Sequence, residues 1–523
     1  MRPVLPAAVL AVAVIGLCVP LGCGSQGGGT PAISTPQSVM LDSQECGVCH
    51  SDHFDDWMAS MHAYAADDPV FLAMNKRGQR ETNGQLGNFC VNCHAPMAVR
   101  LAPPGQNVGQ DLANGQAIDQ PLKGVTCYFC HSIESVDPAH NNGLVKLATD
   151  LVMRGELTDP IPNRFHNSAY STLHDRDNLD SAAMCGTCHD IVTPMIAGAG
   201  GAHIERTFCE WSKAGFNVPN VSTNTCASKC HMTQSDMKRS IAPKLANTPP
   251  RYFHEHDFPA VDVAVDPTYL ASHPQAVQGP QTVQTTLDAG VLRGALCVTK
   301  LGGIRVVIDP FGLGHQWPSG AAQDRRLWAE VIAYNGSNVI YKSGVVDDRM
   351  PVTADNDPDL WLLRDDMLDA QSRPVDMFWQ AVTSTGDEFP TPQFIPSQFS
   401  AAPPHIGRSF PKDGTPLSQL STVKMLPDRV TLRMRLQPIG LDVLDALVTS
   451  GDLDPSVRMS APAPFDVTLI PHSSVGLLEW KAAEASGSPT FPDPNDGNMT
   501  CVGAPDFDPG APSAPQSGVT CKL

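Results

Sequence analysis

The chain has 523 residues, enough for two or three domains with cores of their own, and only 6% of them are aromatic. Lys and Arg number 35 against 54 Asp and Glu, a formal charge of −19 that excludes nucleic acid as the expected partner and suits basic or positively patched redox proteins.

Met1 and Arg2 precede a short apolar run from Val4 to Leu17, which reads as a signal peptide over residues 1–22. Cys23, in Leu21-Gly22-Cys23-Gly24-Ser25, sits where a bacterial lipoprotein is cleaved and acylated, although Pro20 departs from that pattern. A lipid anchor at Cys23 and a plain cleavage nearby are the two readings, Cys18 being a poorer anchor. Both take the mature chain out of the cytoplasm, to the periplasm, outer membrane or cell surface of a bacterium. No later stretch reaches the roughly 20 apolar residues that span a bilayer. Residues 23–40, rich in Gly, Ser, Thr, Pro and Gln, read as a flexible tether.

Five cysteine pairs, each followed at once by histidine, come next. Four have the spacing Cys-x-x-Cys-His: Cys46, Cys49 and His50; Cys90, Cys93 and His94; Cys127, Cys130 and His131; Cys185, Cys188 and His189. The fifth carries one extra residue, Cys226-Ala-Ser-Lys-Cys230-His231. Two thiols one short turn apart can each form a thioether with a porphyrin vinyl group while the next histidine takes the iron, so the pattern specifies haem c, five in number, the fifth with the weaker signal. Zinc ribbons also pair cysteines but do not place a histidine directly after every pair. With about 37 residues for each motif between Cys46 and His231, residues 41–265 read as a pentahaem domain of short helices and long loops. Residues 55–62 and 205–213 are expected to be two of those helices.

Beyond it the pattern changes to short β-branched or alternating runs at 305–308, 327–334, 339–341, 430–436 and 466–470, separated by Gly, Pro, Asn and Asp. Asn335-Gly336 signals a hairpin, and Leu441, Leu444, Leu447 and Val448 signal one helix. Residues 266–480 are therefore expected to form an antiparallel β-sandwich-like domain, and the Pro- and Gly-rich residues 481–523 a tail that is mostly loop. Cys501 and Cys521 are expected to close a loop there by a disulfide. The fold class is α+β: a mostly helical and loop multihaem domain with little regular structure, followed by the β domain.

Of the 17 histidines, those outside the motifs compete for the second axial position of each haem. Cys46 to His62 with Trp57 and Ser60, the stretch Gly124-Val-Thr-Cys127-Tyr-Phe-Cys130-His131, His166-Asn-Ser-Ala-Tyr170, Ile204 to Trp211 and His256-Asp-Phe258 together resemble the cytochrome c554-type multihaem family over about residues 41–265. The resemblance implies distal ligands outside the motifs, and His62, His166 and His256 fit that role. His315, in Gly314-His315-Gln-Trp317-Pro318-Ser319-Gly320, resembles a signature of β-rich modules attached to related multihaem cytochromes; its other reading is a turn brace. His53, His140, His174 and His254 compete for what remains, while His203, His273, His405 and His472 read as structural or solvent-facing. The family's namesake carries four haems, so the fifth motif departs from it. Cys209 could pair with Cys226, leaving that haem on Cys230 alone, or with Cys297; the reading preferred keeps Cys226 and Cys230 on haem.

Closely spaced, mainly bis-histidine haems point to an exported electron carrier rather than an enzyme, with unknown donor and acceptor and no catalytic residues. One alternative is an oxidoreductase of small nitrogen compounds, nitrite or hydroxylamine, with one open haem. Another is a docking protein or self-assembling subunit of a cytochrome filament. If one haem differs from the rest, the stretched motif at Cys226–His231 is where the difference is expected.

Overall fold

The structure, a computed structural model, describes residues 37–523 except 138–141, 197, 215–223, 274–278, 354–355, 386–388, 390–404, 471–475, 488–489, 494–496, 504–520 and 522–523. The signal peptide, Cys18, Cys23, most of the tether, His140 and His472 lie outside the described residues. Among the described residues no helix is long and apolar enough to cross a membrane.

The first half is built from short capped helices. Asp42 caps Ser43–Gly47, Thr126 caps Cys127–Ser132, and Asp68 with Pro69 in the first turn starts Pro69–Glu81; each side-chain oxygen accepts a backbone N–H that the helix leaves unpaired. The helix expected over 55–62 runs Ser51–Ala59 and stops at Ser60, whose extended backbone (φ −88°, ψ 158°) starts a new turn, Met61–Tyr64. The Ser60 hydroxyl donates to the Trp57 carbonyl at 2.6 Å. This break turns His62 away from the first helix. Residues 205–213 form their helix over Thr207–Lys213.

The second half holds two six-stranded sheets. In one, Leu292–Thr299 pairs with Ile304–Pro310 and with Gly497–Gly503; in the other, Arg326–Asn335 pairs with Asn338–Ser343 and with Arg429–Gln437. Leu296, Val298 and Val306 of the first sheet and Leu327, Val331 and Leu432 of the second share one buried core, the sheet-on-sheet packing the alternating runs call for. Asn335-Gly336 makes the expected hairpin, with Gly336 at φ +60°. Leu441–Thr449 is the expected helix.

Three expectations are corrected. The run 466–470 is not one strand: Phe465–Val467 joins the second sheet and Leu469–Ile470 pairs in parallel with the first, so the chain changes sheets at Thr468. Among its described residues the tail is not mostly loop, because Thr490–Asp493 and Gly497–Gly503 extend the first sheet. Nor does Cys501 pair with Cys521, or Cys209 with Cys226 or Cys297: the disulfides are Cys297–Cys501 and Cys209–Cys521. Cys297 and Cys501 are register partners on adjacent strands, and Cys521 reaches the Thr207–Lys213 helix of the first half.

The halves are packed together. Val70, Ala73 and Leu86 share a buried cluster with Trp379, Leu444 and Leu447, the Trp379 indole donates to Glu81 at 2.9 Å, and Arg80 pairs with Asp452.

Candidate haem-binding cavity

The ten motif cysteines carry free thiols, and all of them, with the five motif histidines, line one continuous cavity of about 1920 Å³. Local geometry follows from spacing. The amide N–H groups of His50, His94 and His189 donate to the carbonyls of Cys46, Cys90 and Cys185 at 2.8, 3.2 and 3.1 Å, one helical turn back. In the fifth motif the extra residue is absorbed by a π-helical turn over Ala227–His231, so Cys226, Cys230 and His231 still line the cavity together.

Across that cavity the imidazoles pair. His50 faces His166 with ring centres 6.2 Å apart, His189 faces His62 at 6.3 Å, and His231 faces His315 at 6.3 Å. Two metal–imidazole bonds of roughly 2 Å, with each ring centre set back behind its nitrogen, place opposed imidazoles about 6 Å apart. His131 has two neighbours, His174 at 5.8 Å and His256 at 6.5 Å. Their hydrogen bonding differs: His174 Nε2 is engaged by the Cys130 carbonyl at 2.8 Å and its Nδ1 has no partner among the described residues, whereas His256 uses Nδ1 toward the His254 carbonyl at 2.8 Å. The same Nδ1-to-carbonyl anchor orients His50 (Ile241, 2.7 Å), His94 (Ala65, 3.0 Å), His131 (Arg154, 2.5 Å), His231 (Pro259, 2.9 Å) and His315 (Gln316, 2.7 Å).

His94 stands apart. The ring against it is Phe71, stacked at 4.3 Å and 4°, and among the described residues no second histidine ring faces it. Among the described residues the second motif is thus the one without an opposed imidazole, His140 lying outside them.

The motifs approach one another in a definite pattern. Side-chain hydrogen bonds join Cys46 to Cys127, Cys93 to Cys188 and Cys185 to Cys226, and Cys130 lies within electrostatic reach of Cys185 and Cys188. The first motif therefore abuts the third, the third approaches the fourth, and the fourth touches both the second and the fifth.

The electrostatics fit haem. Burial pushes His62 down to about 3 and His231 and His256 to about 4, and it also lowers His94, His131, His166 and His189; a neutral imidazole is the form that ligates. The cavity wall also holds a buried cation whose nearest carboxylate, that of Asp177, is 3.8 Å away. Arg176 is 6% exposed, and its Nε and Nη1 have no hydrogen-bond partner among the described residues, as suits a site whose occupant brings carboxylates. No group of three or more His, Cys, Asp or Glu side chains among the described residues converges as a metal cage.

Of the remaining candidates, His53 lies 4.8 Å from His256 and 4.3 Å from Phe253, and His254 pairs with Glu156 at 3.0 Å. His203 contacts Arg206, His273 stacks on Tyr269 and His405 is buried. Two functional features escaped the sequence reading, the lone position of His94 and the buried charge of Arg176. An Arg nine residues before a haem motif carries no signal of its burial, and histidine counting cannot show which imidazoles face one another.

Residues 45–132 match the family described as cytochrome c554 and c-prime. The fold resembles the crystal structure of a penta-heme cytochrome c552 from Thermochromatium tepidum, with a TM-score of 0.53 and 16% identity over 85% of this chain and 99% of that one. No curated protein matches the chain.

Proposed function

We propose that this multihaem c-type cytochrome is an exported electron carrier with five haems, four of them held between histidine pairs: His50 and His166, His131 and His256, His189 and His62, His231 and His315. The observation that carries this reading is the set of four opposed imidazole pairs at 6.2–6.5 Å around one cavity. Haem, when bound, supplies a one-electron couple at each motif. The chain's own part is to offer two histidines at each of four motifs that would hold such a haem, to fix most of those rings through Nδ1, and to set the first motif beside the third and the fourth near the second, third and fifth. Export is supported by the apolar N-terminal run and by two disulfides, which persist in oxidising compartments. In spectroelectrochemical titration a carrier is expected to reduce and reoxidise reversibly at all haems, without consuming nitrite or hydroxylamine above the rate of free haem. Sustained turnover of either compound contradicts it.

The position of His94 favours one second reading, a haem at Cys90 and Cys93 open to a small ligand. Its wall includes Met74, Phe89 and Phe378, packed beside Cys90, which would keep water out of the site. Cyanide added to the oxidised protein is expected to convert one high-spin signal to low-spin; an unchanged spectrum removes this reading.

A further inference from the structure

Residues 174–181 present three unanswered polar groups to the cavity. Nδ1 of His174, Nε and Nη1 of Arg176 and Oγ of Ser181 are buried with no hydrogen-bond partner among the described residues, and all three side chains line the cavity. The Arg176 backbone is pinned, since the Thr225 hydroxyl donates to its carbonyl at 2.6 Å. The segment that carries Arg176 is thus tied to the third motif through His174 and Cys130, runs into the fourth through the helix Asp180–Gly186, and is held beside the fifth through Thr225. Asp177 does not neutralise it: its carboxylate is 3.8 Å from Nε and its side chain is 75% exposed. A guanidinium only 6% exposed, with one distant exposed carboxylate and two donor nitrogens unbonded, is suited to a second anion on its cavity side.

We propose that Arg176, assisted by Ser181, is the counter-ion of a propionate on one haem near the third, fourth and fifth motifs, and so raises that haem's reduction potential. The inference rests on the multihaem reading. Guanidinium is planar and permanently charged and offers parallel N–H donors that match a carboxylate. A positive charge fixed beside the porphyrin edge favours the state that has gained an electron, and removing it leaves the propionate either unpaired or protonated.

The test is optical redox titration of full-length holoprotein, wild type against Arg176→Gln and Arg176→Lys, after haem content has been measured for each. A wild type without covalent haem would overturn the multihaem reading itself. With five haems retained, Arg176→Gln is expected to lower one midpoint potential and make it more dependent on pH, the others staying in place, while Arg176→Lys restores most of the shift. Unchanged potentials in Arg176→Gln overturn the proposal. If Arg176→Gln loses haem, Ser181→Ala decides: a lowering of one midpoint potential, the others unmoved, supports the clamp and unchanged potentials overturn it.

Discussion

His174 and His256 present similar rings to His131, and what distinguishes them is the nitrogen each leaves free. His256, anchored through Nδ1, presents Nε2 as the motif histidines do, whereas His174 spends Nε2 on a carbonyl and keeps only Nδ1, the nitrogen next to the ring's link to the backbone. His256→Ala is therefore expected to convert one low-spin haem to high-spin in the electronic spectrum, and His174→Ala to leave the low-spin count unchanged. Asp324 is a titrating case on the same cavity wall: burial, its largest influence, pushes the carboxyl up to about 6. Its folded value thus lies above the unfolded value of about 3.9. The fold binds the proton more tightly, so the contribution of Asp324 to stability is full below about pH 4 and is lost as pH rises through about 6. Asp324→Asn is expected to flatten that fall by up to about 2 kcal/mol in urea unfolding compared at pH 4 and pH 7; parallel pH profiles for variant and wild type contradict it.

At the level of elements, the motifs were legible because their chemistry is local. Two thiols and an imidazole within one turn need no long-range information, and the π-helical turn at Ala227–His231 shows how an extra residue is absorbed without moving the donors off the cavity. The break at Ser60 was not legible, since residues 55–62 read as one helix; what stops it is an extended Ser60 whose hydroxyl bonds back to Trp57. Gly124 completes that local arrangement. At φ +73° it brings its backbone against His62, so an added Cβ would lie 2.4 Å from the His62 carbonyl oxygen, and Val125 N–H donates to the same carbonyl at 3.0 Å. Gly124→Ala is expected to destabilise the fold by more than about 1 kcal/mol and to perturb the low-spin spectrum of one haem. Wild-type stability and spectrum would show that the turn does not position His62. The disulfides were illegible for a different reason: Cys297 and Cys501 meet only through strand register at a separation of 204 residues. Replacing both by Ala is expected to cost about 2–5 kcal/mol in denaturant unfolding; a loss under about 0.5 kcal/mol contradicts a stapling role.

Across the whole molecule, the order of helical and β-rich halves was readable from the shift between motif spacing and alternating runs, because each pattern reports which faces of an element are buried. How the halves serve one another was not. The second sheet region is joined to the first by the Val70, Trp379 and Leu444 cluster, and the loop before Arg326–Asn335 sends His315 opposite His231. One imidazole pair is thus shared between the halves, and in the proposed reading the β-rich half contributes the second histidine at the fifth motif. Contacts of this kind join residues far apart in sequence, so spacing says nothing about them. The account stands or falls on the four imidazole pairs. Spin-quantified electron paramagnetic resonance of the fully oxidised holoprotein measures them directly. Four low-spin bis-imidazole ferric centres per chain, with the haem at His94 distinguishable from them, is the predicted result; fewer than four such centres would contradict it.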